Sequence, residues 1–528
     1  MPGRHRGKIH ERQRHVVFVH DARLRLALGN RAEHARLIAH VRTPSLHRPN
    51  DHLTSIRRLG CLWVFREPGE ESVRHRGSDS RRPGWPWPNR GDRGRIYLPD
   101  DRGRCEHLGR RQGEPRLRPG QLRQYAPTGF SLGHSTAVSG DACKEQSWYG
   151  EESLDVEAVH GMAPGADIAY VAAASCQISD MNDALQRIVD GRLADVVSGS
   201  FSFLENDIPT GYIDAVHATL VQAAIEGVGI FFSAGDRGDN LQSKNVRGVE
   251  YPASDPFVTA VGGTSAGISK DGSRLFELGW ETATTTKTGG SWTPAAPGTF
   301  LAGGGGGVSK VFAQPHYQAG IVPSPISEHF GGRPGRAVPD VAAIGDPHTG
   351  YLVGQTETFS DGTTTYVEYR LGGTSLSTPL VASIVALADQ MAGRPTGFAN
   401  YALYRLAGTA AYYDPSSSNR ATSVVDVYYL NDENSAHGYG VALRTFNQKQ
   451  TIYLRTGFDD VTGLGTPNGR AFVAGLAQAP TGSATARISP ASPCPERDRH
   501  RSCQEIRAGP AEPPVSARSA TASSARSC

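Results

Sequence analysis

The chain has 528 residues, with 55 Lys and Arg against 52 Asp and Glu and a net charge of +3. That near-neutral total conceals three parts: residues 1–130 carry 28 basic and 13 acidic side chains (net +15), residues 131–484 carry 20 and 35 (net −15), and residues 485–528 carry 7 and 4 (net +3). A uniformly basic nucleic-acid binder is thereby excluded for the body, and without an apolar run of about 18 residues no membrane-spanning helix is expected.

Residues 1–130 are rich in Arg, Pro, Gly and His but hold one Lys, and strings such as Arg81-Arg82-Pro83-Gly84-Trp85-Pro86-Trp87-Pro88 show no apolar period. Such a segment buries too little surface to offset its ordering entropy, and no nucleic-acid-binding motif accompanies its arginines. It reads as a stretch without a recognisable domain, similar in texture to GC-rich DNA translated out of frame. Met1 opens on a charged run with no apolar signal-peptide core. The tail, 481–528, has the same texture and is expected to be disordered. Of the seven cysteines, Cys143 and Cys176 fall in the body, where one disulfide and two free thiols are both open readings. No Cys or His spacing suits a metal.

From about residue 131 the pattern changes to alternating helices and strands. Leu154, Val156, Val159 and Met162 mark a helix, and Asp167–Ala174 reads as a buried strand. A helix over Asp180–Val189, a strand over Val196–Phe203, a helix over Ile213–Ile225 and strands over Val228–Ser233 and Phe257–Val261 follow. Near-continuous apolar strands between helices predict a mostly parallel sheet covered on both faces, with chemistry at the carboxyl ends of its strands. Residues 265–310, Gly- and Thr-rich and ending in Gly303–Gly307, read as surface loop, and no P-loop Lys-Ser/Thr follows that glycine run.

Residues 372–379, Gly-Gly-Thr-Ser-Leu-Ser-Thr-Pro, place Ser375 after a turn and ahead of the apolar run Leu380–Leu387. A serine hydroxyl needs a base within hydrogen-bond reach to become a nucleophile. His160 is one candidate, standing at a helix end with no second His nearby. The alternative is a carboxylate pair. Glu151 and Asp155 are four apart on one helical face, where mutual repulsion raises one pKa and lets the two share a proton. Asp236, in Phe-Ser-Ala-Gly-Asp at a strand end, is a third acid.

Together these strings, with Ala163-Pro164-Gly165-Ala166, the run Tyr251–Thr264 (Tyr-Pro-Ala-Ser-Asp-Pro-Phe-Val-Thr-Ala-Val-Gly-Gly-Thr) and Pro339-Asp340-Val341, resemble the sedolisin family of serine-carboxyl peptidases over about residues 135–475. The serine motif alone suits a subtilisin equally; the Glu-x-x-x-Asp helix and the Ser-Ala-Gly-Asp turn separate the two. The resemblance implies a subtilisin-like α/β fold over 131–480. It implies Ser375 as nucleophile, Glu151 as general base, Asp155 as its partner and Asp236 as the oxyanion-hole acid of an endopeptidase working at acid pH. It further implies secretion, a monomer acting on polypeptides, and one structural calcium. The calcium ligands would be Asp426, Val427, Gly457 and Asp459, with Asp460 the local alternative to Asp459 and the long segment Tyr428–Leu454 an insertion. Relatives also carry a leader, a propeptide and an opening strand that are not legible in residues 1–130, so an inactive peptide-binding homologue and a subtilisin-type enzyme using His160 remain the competing readings.

Overall fold

The computed structural model describes residues 15–17, 115–125, 145–269, 271–288, 290–295, 298–358, 364–415, 423–429, 439–445 and 451–479. The elements that position the site begin with strand β1 (Leu122–Tyr125), helix α1 (Glu145–Met162), strand β2 (Ile168–Val171) and helix α2 (Ile178–Asp190). Strand β3 (Val196–Gly199), helix α3 (Thr210–Glu226) and strand β4 (Gly229–Ser233) follow, then strands β5 (Thr259–Ile268) and β6 (Arg274–Gly279). Strands β3, β4, β5 and a later strand β7 (Val341–Ile344) lie side by side in parallel, in the order β7-β5-β4-β3, with β6 antiparallel to the end of β5.

Both faces of this sheet are covered, which explains why β3 and β4 are buried at every position and read as unbroken apolar runs. Helix α2 buries Met181, Leu185 and Ile188, the residues whose spacing predicts it. Helix α4 (Thr374–Ala392; α3 precedes it) packs across the sheet and buries Leu376, Leu380, Val381 and Val385. It has the length and apolarity of a membrane span, yet 67% of that window is buried inside the protein, as befits a core helix. The α/β fold expected from the sequence is the fold observed.

Three details differ from the sequence reading. The opening strand is present: β1 pairs in parallel with β2, Leu122 opposite Ile168, and Leu117 lies in the core. The body therefore starts before residue 131. Leu-Arg-Gln-Tyr is too short and too polar to signal a strand by periodicity. Residues 265–310 are also not simply loop. They continue β5, form β6, and supply further strands at Glu281–Thr288 and Thr299–Gly303. Threonines in that run are β-branched and fit a pleated sheet, and Glu281–Thr288 pairs with Tyr439–Thr445, which pairs in turn with Ser423–Tyr429. Part of the segment read as an insertion, Tyr439–Thr445, is thus a strand of this antiparallel sheet. Finally, Val196–Phe203 is cut at Gly199; a Cβ there would lie 2.2 Å from the Phe232 ring.

Candidate active site

Helix α1 presents Glu151 and Asp155 one turn apart, and α4 presents Ser375 in its first turn. Ser375 lies beside the Glu151 carboxylate and acts on it as a side-chain donor that lowers its pKa. Glu151 is held well above the usual carboxylate range, first by burial and next by Asp155; the Ser375 bond opposes this and Asp236 adds to it. Its Oε1 is buried, with no hydrogen-bond partner among the described residues. Asp155 is buried and accepts from Ser200, whose Oγ lies 2.9 Å from Asp155 Oδ1.

Asp236 follows β4 on the turn Ala234-Gly235-Asp236, where Gly235 has φ +101°. One carboxylate oxygen, Oδ1, accepts from the Thr374 N–H (2.7 Å) and the Thr374 hydroxyl (2.8 Å). The other, Oδ2, lies beside Gly373, where an added Cβ would stand 2.9 Å from it. Burial raises the Asp236 pKa, against the two Thr374 bonds and the positive charge of Arg237. Asp236 therefore flanks the turn that carries Ser375, with one oxygen anchored by Thr374.

The glycine run expected at the surface lies behind this turn. Gly303 N donates to Asp236 O and Gly305 N to Gly235 O (3.0 and 2.7 Å). A Cβ on Gly305 would fall 1.8 Å from Ala234 O, so only glycine permits so close an approach of two backbones. A cavity of about 240 Å³ opens in front, lined by Ser200, Phe201, Asp236, Arg237, Glu250 and Ser375 among others. Glu250 is a site residue that sequence reasoning missed. It is buried, accepts from the Ser202 hydroxyl, and is raised above its usual pKa mainly by burial.

His160 stands elsewhere. It is fully buried in the last turn of α1, with Nε2 2.7 Å from the Pro115 carbonyl. That contact explains a histidine at a helix end structurally. Cys176 is disulfide-bonded, which decides between the two open readings for that residue; Cys143 lies outside the described residues.

The C-terminal acidic loop is built around Asp459, which is fully buried. Its carboxylate accepts from the backbone N–H groups of Arg455, Val461 and Thr462 at 2.7–3.0 Å. Burial still lifts it to about 7, and Asp460 beside it to about 6. Gly457 takes φ +80°, and its N–H donates to Asp414 Oδ2 at 2.8 Å. Asp414, which the sequence reading did not single out, thus joins Gly457 from 43 residues away, while its Oδ1 is buried with no partner among the described residues. Asp426 and Val427 lie on the strand Ser423–Tyr429, and their side chains fall outside the described residues. Among the described residues no group of three or more His, Cys, Asp or Glu is gathered as a metal centre.

A carboxylate pair on one helix, a serine at the start of a buried helix and a third acid at a strand end form one constellation on a doubly covered parallel sheet. The chain belongs to the subtilase family, whose model matches residues 120–440, and within it to the sedolisin family of the predicted kind. Kumamolisin from Bacillus sp. (strain MN-32) is 31% identical over 359 residues, covering 66% of this chain and 56% of that protein. Human tripeptidyl-peptidase 1 is 30% identical over 343 residues, 60% of this chain and 50% of that protein. The chain therefore spans about half the length of the curated relatives it matches. Among solved structures, Pseudomonas sedolisin, a serine-carboxyl proteinase complexed with two molecules of pseudo-iodotyrostatin, shares the fold at a TM-score of 0.50 and 21% identity, covering 71% of this chain and 88% of that one.

Proposed function

We propose that the chain is a serine-carboxyl endopeptidase that cleaves polypeptides at acid pH. The observation that carries this reading is the placing of Ser375 beside a buried Glu151 carboxylate whose pKa is raised by burial and by Asp155. Glu151, ionised while Asp155 holds the shared proton, accepts the Ser375 proton as Oγ attacks the scissile carbonyl. Asp236, protonated, donates to the developing oxyanion; ionised, it would repel it, and burial favours the protonated form. Glu151 then returns its proton to the leaving amine. Water, activated by the same carboxylate, releases the acyl group from Ser375.

The calcium reading is part of the proposal. Calcium seeks six or more oxygens from carboxylates and carbonyls. The buried orphan oxygen of Asp414 and the buried Asp459, raised to about 7, suit a cation that would relieve both. Asp414 and Asp459 would hold it with the Gly457 carbonyl, joined by Asp426 and Val427, the ligands that the family resemblance implies. The ion's role would be structural, bracing the loop whose backbone abuts the glycine run at Asp460. An extracellular, acidic setting fits the acidic body, net −15 over 131–484, and the disulfide at Cys176; we expect a monomer.

The test is digestion of an unfolded protein and of blocked peptides at about pH 4, with Ser375→Ala and Glu151→Ala as controls. Internal cleavage lost in both variants supports the reading. Release of N-terminal tripeptides alone would replace the endopeptidase with an exopeptidase. Tight peptide binding without cleavage would leave the binding-module alternative.

A further inference from the structure

The first turn of α4 has an unusual feature: Pro379 stands four residues after Ser375, inside the helix. In an α-helix the carbonyl of residue i accepts from the N–H of residue i+4, and proline has none; its ring also crowds that carbonyl. The nucleophile's own carbonyl therefore lacks its regular helical donor. The Ser200 hydroxyl lies 3.2 Å from Ser375 O. The same hydroxyl is 2.9 Å from Asp155 Oδ1. Ser200 sits just past the end of β3, so a strand end, the carboxylate helix and the nucleophile helix meet at a single atom.

We propose that Ser200 is a positioning residue that ties Asp155 to the backbone of Ser375. The proposal rests on the peptidase reading above. A hydroxyl carries one proton, so it donates to one of these oxygens at a time. With Asp155 ionised, Ser200 donates to Oδ1. With Asp155 protonated and donating to Ser200, the Ser200 proton is free for the Ser375 carbonyl. The link thus transmits the protonation state of the carboxylate pair to the turn that aims the nucleophile. Among the described residues, Asp236 across the cavity also acts on Glu151, and Tyr170 on β2, raised first by burial and then by Glu152 and Asp155, is coupled to Asp155. None of these spans Asp155 and the Ser375 backbone in the hydrogen bonds described.

The test uses Ser200→Ala and Ser200→Thr, each alone and with Pro379→Ala. Ser200→Ala should lower kcat about tenfold or more with KM changed less than about twofold, because misaimed reacting groups cost turnover more than binding. The limb of the pH–rate profile set by loss of the Asp155 proton should move to higher pH, since ionised Asp155 loses a donor. Ser200→Thr, which keeps the hydroxyl, should restore most of both. In thermal unfolding, Pro379→Ala supplies an N–H to the Ser375 carbonyl, so Ser200→Ala should lower Tm less in that background than alone. Wild-type kcat and pH profile in Ser200→Ala, with equal Tm losses in both backgrounds, would overturn the proposal. Loss of the Tm coupling concerns Ser200 only. A wild-type chain that showed the coupling but cleaved nothing would leave the joint standing and remove the peptidase reading.

Discussion

Asp236 and Thr374 are joined twice: the Thr374 N–H and hydroxyl both donate to Asp236 Oδ1, at 2.7 and 2.8 Å. The acid is thereby fixed by the residue immediately preceding Ser375, and its second oxygen is left for chemistry. If that oxygen must carry a proton, Asp236→Ala should reduce kcat about 10²–10³-fold, the usual cost of one oxyanion donor. Asp236→Asn, which donates without a proton to lose, should retain more activity and extend the alkaline limb upward. Steady-state pH–rate profiles of the two variants check this; a profile identical to wild type in Asp236→Asn would count against the protonated acid.

The glycine brace behind that turn gives a steric prediction. An Ala at 305 would overlap the Ala234 carbonyl, and an Ala at 373, where φ is +96°, would crowd Asp236 Oδ2. Gly373→Ala, strained at φ +96°, should lower Tm and lose most turnover, whereas Gly305→Ala, which meets backbone, should lower Tm by more. Circular dichroism melts beside peptidase assays separate the two effects.

How much of this was legible from sequence follows from range. Glu151 and Asp155 are readable because a helix fixes their relation within four residues. Ser375 is readable because its turn and helix are local. Ser200 and Asp414 were missed because each acts on a partner that only the tertiary fold supplies: Ser200 reaches Ser375 across 175 positions and Asp414 reaches Gly457 across 43. Gly303–Gly307 shows the opposite failure. Its composition says loop, but the glycines are there so that two buried backbones can touch, and no local pattern distinguishes these cases.

Stability should decline toward neutral pH. Asp389, buried at the far end of α4, is pushed up to about 7 by burial, and its Oδ2 has no partner. A carboxyl whose folded pKa exceeds its unfolded value of about 3.9 stabilises fully below that value and loses the contribution as pH rises through about 7. The swing is at most roughly 4 kcal/mol for a shift of this size. Denaturant midpoints measured from pH 4 to 8 should fall, and Asp389→Asn should flatten the fall.

A buried ion pair holds the sheet's rear. Arg336 grips Asp340 through both oxygens at 2.9 and 2.6 Å, both residues are 0% exposed, and the Tyr404 hydroxyl, the Ala260 N–H and the Asn400 and Gln318 amides also donate to the carboxylate. Arg336→Met leaves a buried acid without its cation and should cost about 3–5 kcal/mol in urea unfolding. Arg336→Lys should recover only part, since an ammonium cannot reproduce the two-pronged contact.

The acidic loop yields a metal-removal prediction. Chelation at pH 5 should lower Tm by several degrees, added calcium should restore it, and Asp459→Ala or Asp414→Ala should abolish that response. An unchanged Tm on chelation would remove the calcium claim.

The central claim is that a carboxylate, not a histidine, activates Ser375. Its most direct test is the pH dependence of kcat/KM on a blocked internal peptide for the wild type, Glu151→Ala and His160→Ala. The account predicts a bell centred in acid, near-complete loss in Glu151→Ala, and the same acid bell in folded His160→Ala. A maximum above about pH 7, or wild-type turnover in Glu151→Ala, would contradict it.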